Sequence, residues 1–216
     1  MEDIVSQFDL VLKAFWLTIQ LFLFSALLSL VIGLVLAGMR VGPVSVLRRA
    51  TATYVTLVRN TPLLMVFIFV FIAMPRLGVN FEFLTKGVLA LTIYTSTFVC
   101  EAIRSGINSV SLGQAEAARA VGLTFTGTMR EVILPQAVRA TVPPLASVMI
   151  ALLKNTSVAA AFGLLEATAR MRYFTNNNAD DRMLIFLTFA LGYVILVETV
   201  SLGASMLERK WKVAGR

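Results

Sequence analysis

Two stretches of this chain carry side chains able to do chemistry. The first is Lys154-Asn155-Thr156-Ser157, four polar residues in a row with apolar sequence on both sides. The ammonium of Lys154 could pair with a carboxylate. Glu198 adds one carboxylate inside another apolar run, and Thr92, Thr95, Ser96 and Thr97 place hydroxyls in a third. The second stretch is AEAARAVGLTFTGTMREVILPQAV, Ala115 to Val138, with two Glu, two Arg and a Pro in an otherwise oily chain. Covalent and metal chemistry have little to work with. There is no His, and the single Cys100 sits in an apolar run as a small buried hydrophobe. No G-x-x-x-x-G-K-[ST] phosphate cradle occurs, and no Ser-His pair or metal-ligating cluster. Catalysis in this polypeptide, and a cofactor bound by it, are not expected.

The elements that must position these residues are membrane spans. Apolar residues make up 58% of the 216, charged residues only 14%, and the mean hydropathy is +0.83. A soluble domain of this size has too little interior for so much apolar surface, whereas a bilayer accommodates it. About 20 apolar residues cross the roughly 30 Å hydrocarbon core. On that measure the chain reads as an all-α integral membrane protein, one domain over 1–216, with five spans near 12–39, 54–75, 84–105, 138–165 and 183–207. Twelve basic residues fall on one side: Arg40, Arg48, Arg49, Arg59, Arg104, Arg119, Arg130, Arg139, Arg209, Lys210, Lys212 and Arg216. Six fall on the other: Lys13, Arg76, Lys86, Arg170, Arg172 and Arg182. The positive-inside rule makes the first side cytoplasmic, the N-terminus external and the C-terminus cytoplasmic. The formal charge of +7 thus follows topology and does not call for a nucleic-acid partner. Glu2, Asp3 and Asp9 stand where a signal peptide would be basic, so the N-terminal segment reads as retained.

The fourth span has the most unusual backbone signals. Pro143-Pro144 removes donors early in it, and the Lys154 tract interrupts it later. Broken helices in transporters line substrate sites, because polar backbone at membrane depth must face protein or water. The alternative is a kinked structural helix whose polar tract packs on its neighbours. Lys154 costs roughly 2.5–3.5 kcal/mol at a helix centre, so it should face a partner or a wet cavity, and a substrate carboxylate is one candidate. For Glu198 a structural ion pair with Lys154 or Arg104 is favoured over a place in the translocation path. Hydroxyls such as Thr92, Thr95, Ser96 and Thr97 commonly bond their own preceding carbonyls, and they are weak pathway candidates. RMRYFTNNNADDR, Arg170 to Arg182, reads as a solvated outer loop, with docking of another protein as the sharper alternative.

Gln114 to Val121 is Ala-rich and helical in pattern, with Glu116 and Arg119 one turn apart, and Gly122 stops it. Re-entry into the membrane follows at Ile133-Leu134-Pro135. The result is a compact cytoplasmic knob within 111–135; an ordinary amphipathic connecting helix is the plainer reading. Glu116-Ala117-Ala118, three residues, Gly122, nine residues, Val132, one residue, Leu134-Pro135 resembles the EAA signature of bacterial ABC importer permeases, with Val132 where Ile is usual. VRNTPLL (Val58 to Leu64), EAIRSGINSVSLGQAEAARAVGLT (Glu101 to Thr124), LLKNTSVAA (Leu152 to Ala160) and LERKWK resemble the polar amino acid uptake subfamily.

The resemblance implies the type I ABC importer permease fold, with a coupling helix between the third and fourth spans. It further implies an ATP-binding cassette ATPase dimer that binds ATP and Mg, a second permease subunit of the same or another kind, and an extracellular substrate-binding protein. By position match, Glu116, Ala117, Ala118, Gly122, Leu134 and Pro135 would couple to the ATPase, in the cytoplasmic membrane of a bacterium. The substrate would be a polar amino acid: glutamate first, then glutamine, aspartate or basic amino acids. The competing classes are an ion-gradient-driven secondary transporter or small channel, and a membrane scaffold. A secondary transporter usually has more spans and inverted repeats, and a scaffold needs no polar break in the fourth span.

Overall fold

The computed structural model describes the backbone of residues 7–212 and the side chains of residues 7–209. Glu2, Asp3 and Arg216, and the side chains of Lys210 and Lys212, lie outside the described residues. All regular structure described is helical.

α1 (Phe8–Val41) is 34 residues of nearly continuous apolar sequence. Leu23, Phe24, Leu27 and Leu34 are exposed, as a lipid-facing surface requires. The buried face is Val11, Ala14, Thr18, Leu21, Ser25, Ser29, Gly33 and Ala37, three or four apart and small at six of its positions. In a membrane, apolar side chains gain nothing by leaving lipid, so close backbone approach does the holding. A Cβ added at Gly33 would fall 2.5 Å from Val99 Cγ1 and 2.9 Å from the Ser96 carbonyl. Ser25 Oγ donates to the Val88 carbonyl at 3.4 Å. The partner is α4 (Phe83–Asn108), which also meets the next two helices and the fourth span, and is the centre of the bundle.

Contacts between α1 and α4 advance together along both helices. Leu21 meets Gly87, Ser25 meets Val88, Gly33 meets Val99, and Arg40 pairs with Glu101. The two run parallel, so the chain must cross back between them. It does so through α2 (Ser45–Arg59) and α3 (Leu63–Arg76), two helices bent by 101°. The single span expected over 54–75 is therefore a broken one. Its break is at Asn60-Thr61-Pro62, because Pro62 has no N–H and disfavours helical geometry at Thr61. Thr61 Oγ1 donates instead to the Leu57 carbonyl, 2.9 Å.

A short helix, α5 (Leu112–Ala120), precedes α6 (Phe125–Phe162), which packs antiparallel to α4, with Thr141 beside Gly106 and Leu164 beside Gly87. The Pro143-Pro144 pair does not interrupt α6, contrary to the sequence expectation; the α-helix runs unbroken from Leu134 to Asn155. The lost donors would have reached Arg139 and Ala140, near the α5 end of the helix, where Arg139 is exposed. The change comes later, where Thr156–Phe162 tightens into a 3-10 helix. Thr156 Oγ1 donates to the Leu153 carbonyl and Ser157 Oγ to that of Lys154, each at 2.7 Å, so hydroxyls take over carbonyls that an α-helix would bind.

α7 (Ala167–Asn177) and α8 (Arg182–Lys212) complete the chain. The segment expected as a loop from Arg170 to Arg182 is helical through Asn177. Glu166 caps its N-terminus by accepting from the Ala169 N–H at 3.0 Å, and Phe174 buries against Ile185 and Phe189. α8 runs parallel to α1: Gly192 meets Phe15, and further along Gly203 and Leu207 lie near Leu30. Counting α2–α3 as one, five segments long and apolar enough to cross a membrane run in alternating directions, and α5 sits at one end of the bundle.

A candidate coupling surface and substrate cleft

α5 is held at its C-terminus by a Schellman turn. The Leu123 N–H bonds the Ala118 carbonyl at 3.1 Å and the Gly122 N–H bonds that of Arg119 at 2.9 Å. This needs Gly122 at φ +87°, a left-handed conformation that β-branched residues avoid. Thr124 then caps the start of α6, its Oγ1 accepting from the Gly127 N–H at 3.2 Å. Glu116, Ala117, Gly122, Leu134 and Pro135 are all exposed. Ala118 is the exception to the expected contact set. It is 5% exposed, because it lies on the side of α5 that packs on Thr128–Ile133, and it holds the helix to its own chain. Leu112, Val121 and Phe125 stand out at 81%, 79% and 70% exposure. Sequence reasoning passed over these three, although large apolar residues on a polar knob are the signal of an interface.

The polar tract of α6 faces two ways. Lys154 and Ser157 border a cleft of about 490 Å³ between α6, α7 and α8, together with Thr168, Tyr193 and Glu198. On the other side of α6, Asn155 borders a second cleft of about 300 Å³ with Thr95, Tyr94 and Ser147. Thr92 and Ser96 are buried in the packing around α4 and border neither cleft, and Thr156 is likewise fully buried. Ser96 and Thr97 donate to their own i−3 carbonyls, at 3.2 and 2.7 Å. The pathway candidates thus separate into Lys154, Ser157 and Glu198 in one cleft, Thr95 and Asn155 in the other, and three that serve packing.

Glu198 makes no ion pair with Lys154 among the described residues, although both line one cleft and both are exposed. Nor does it reach Arg104, whose guanidinium donates to Glu101 at 2.9 Å. Glu101 is where the expected ion pairing occurs: it meets Arg40 from α1, Arg59 from α2 at 3.7 Å, and Arg104 one turn on.

Behind the larger cleft lies a second feature that sequence reasoning missed. Glu166 is fully buried; its Oε2 accepts from the Tyr193 hydroxyl at 2.6 Å and lies 3.4 Å from Thr18 Oγ1. Tyr193 OH is 3.0 Å from Thr168 Oγ1, and both residues line the cleft. Burial pushes the Glu166 carboxyl above its ordinary value, and the bonds from Tyr193 and the backbone offset only part of that. Sequence carried no clear signal for Glu166, since Glu is not among the residues that favour N-caps and its partners Thr18 and Tyr193 are brought to it by the fold.

Residues 29–213 match the family model of the binding-protein-dependent transport system inner membrane component. The glutamate transport system permease protein GluC of Corynebacterium efficiens is 42% identical over 94% of this chain and 94% of its own. A probable glutamine ABC transporter permease protein, GlnP of Bacillus subtilis, is 38% identical over 90% of each. Among solved structures, an amino acid ABC transporter crystallised with histidines superposes with a TM-score of 0.89 at 28% identity, covering 96% of this chain and 97% of that one.

Proposed function

The chain belongs to the family of binding-protein-dependent transport system inner membrane components, and from that membership we propose that its cleft between α6, α7 and α8 passes a polar amino acid, while α5 grips a separate ATPase. The protein is a permease subunit of an amino acid ABC importer, as its relatives are. The observation that carries the substrate reading is the placement of Lys154 and Glu198 on one cleft without a bond between them. An α-amino acid brings a carboxylate and an ammonium, and it satisfies both at once. Unpaired charges at membrane depth are costly, so a zwitterion that completes them gains affinity from that cost. Ser157, Thr168 and Tyr193 leave hydroxyls for the side chain.

Glutamate is the first substrate by kinship with GluC. Glutamine is the second reading, and one observation favours it: Lys154 is the only cation among the described residues lining the cleft, so a second carboxylate finds no partner there. Aspartate and basic amino acids follow.

The coupling reading rests on the exposed apolar trio around α5, with Glu116 placed to meet a basic group. ATP and Mg bind the ATPase, and hydrolysis occurs there. α5 faces the cytosol, the N-terminus faces outside, a second permease subunit of the same or another kind completes the path, and an external binding protein delivers the amino acid. The basic residues gathered at the α5 end support that orientation. The test is to purify the chain with its accompanying subunits, identify them, and measure ATPase stimulation by loaded binding protein across an amino acid panel. Stimulation by glutamate or glutamine is expected. A response to neither, or to no amino acid, overturns the substrate reading.

A further inference from the structure

α2 (Ser45–Arg59) has three faces. Thr51 and Val55 turn into the protein, Val55 packing in one cluster with Ala37 and Cys100. At 100° per residue, Val46, Leu47, Ala50 and Leu57 form a second sector, apolar and open: Val46 is 72% exposed and Leu57 64%, while Tyr54 at its edge turns its hydroxyl to the buried Ser96 of α4. Arg48, Arg49 and Arg59 fill the third with Ser45 and Thr56, and the helix contains no acidic residue. Its direction matches this division. α3 runs along α4, from the bend just before it, where Arg59 lies over the Phe98 ring, to Phe71 beside Phe83 near its end. α2 is bent 101° from it and so lies across the bundle axis, at the end where α5 sits.

We propose that α2 lies in the headgroup region of the leaflet on the α5 side and binds anionic phospholipid through Arg48 and Arg49. Val46, Leu47 and Leu57 seat among the upper acyl chains. Amphipathic helices with a basic side occupy membrane interfaces in this way, and each basic residue near an anionic leaflet adds attraction. The occupant of this surface must be apolar along one sector and anionic along the next, and an anionic leaflet is both. A second copy of this chain is a poor fit by charge, since the α5 end also carries Arg40, Arg104, Arg119, Arg130 and Arg139, and like would face like. Arg59 is committed to Glu101 at 3.7 Å, and Arg48 reaches the Gly42 carbonyl at 3.4 Å. Arg49 is exposed and has no partner among the described residues, which leaves it for a phosphate.

The test uses the intact chain with its co-purifying subunits. Native mass spectrometry after exchange into mixed phosphatidylglycerol and phosphatidylcholine should show phosphatidylglycerol retained in preference. R48Q and R49Q should each weaken that retention about fivefold. R172Q, at the opposite end, should leave it unchanged. Because Cys100 is buried, spin labels on V46C and R49C report separately. The first should be open to oxygen, the second to an aqueous nickel chelate. Equal retention of the two lipids, retention unaffected by R48Q and R49Q, or a V46C crosslink to a second permease subunit would overturn the proposal. None of these readouts depends on transport.

Discussion

At the scale of single residues, Lys154 and Glu198 are the pair to test. They line one cleft unbridged, so neither is needed to neutralise the other within the chain, and their removal should act on the substrate before the fold. K154Q is expected to raise the KM for uptake about 10- to 100-fold, the cost of one charge-assisted hydrogen bond to a carboxylate. Basal ATPase should not change. Radiolabelled uptake in proteoliposomes checks this, and an unchanged KM removes Lys154 from the site. Glu166 makes a different prediction. The folded chain holds its proton more tightly than the unfolded one, because burial raises the carboxyl above its ordinary 4.5. That contribution is fully present below the ordinary value and is lost as pH rises through the raised one. Thermal unfolding in nanodiscs should therefore show stability falling with pH in the weakly acidic range, and E166Q, which imitates the protonated acid, should flatten that slope. Lys154 and Glu198 were legible in sequence because each breaks an apolar run. Glu166 was not, since it stands at the edge of one, where polarity is unremarked and only the fold supplies Tyr193 and Thr18.

At the scale of elements, α5 depends on one backbone conformation. Gly122 is left-handed, and nothing lies within 4 Å of where its Cβ would be, so a side chain there meets no clash with a neighbour. The penalty for G122V is in the backbone itself, roughly 1–2 kcal/mol. That is enough to unwind the Schellman turn and displace Val121 and Phe125. Stimulated ATPase and uptake should be lost together while binding-protein affinity persists. G122N, which tolerates the left-handed region better, should retain part of both. If G122V transports normally, α5 is not the coupling element. The helix and its stop were readable from Ala content and the glycine, and α1, α4, α6 and α8 are helices long and apolar enough to cross a membrane. The broken return through α2 and α3 was misread because hydropathy ignores direction. Thr61-Pro62 was the available sign, and it is a local backbone rule that no count of apolar residues contains. The opposite error occurred at Pro143-Pro144, where a proline signal overstated a break that helix α6 absorbs.

At the scale of the whole molecule, α1 and α4 behave as one body, because a row of small residues brings their backbones together along much of their length. Any rocking driven from α5 must therefore open the molecule elsewhere, and the clefts on either side of α6 are where space already exists. Glu101 closes the body at the α5 end, one carboxylate shared by Arg40, Arg59 and Arg104 from three helices. Sequence alone placed Glu101 near a span end and stopped there. The pairing needs α1 and α4 to run parallel, which brings Arg40 level with it, and needs the bend that returns Arg59 to the same point. Removing the carboxylate leaves three guanidiniums facing one another, two of them around a third exposed or more. The cost should then lie below the 3–5 kcal/mol of a fully buried pair, at roughly 1–3 kcal/mol. E101Q should lower the unfolding midpoint in nanodiscs accordingly, and R40Q combined with E101Q should recover part of the loss, since it removes the charge left most deeply buried. If the double variant is as unstable as the sum of the singles, Arg40 and Glu101 act independently. The three helices would then be joined by packing alone.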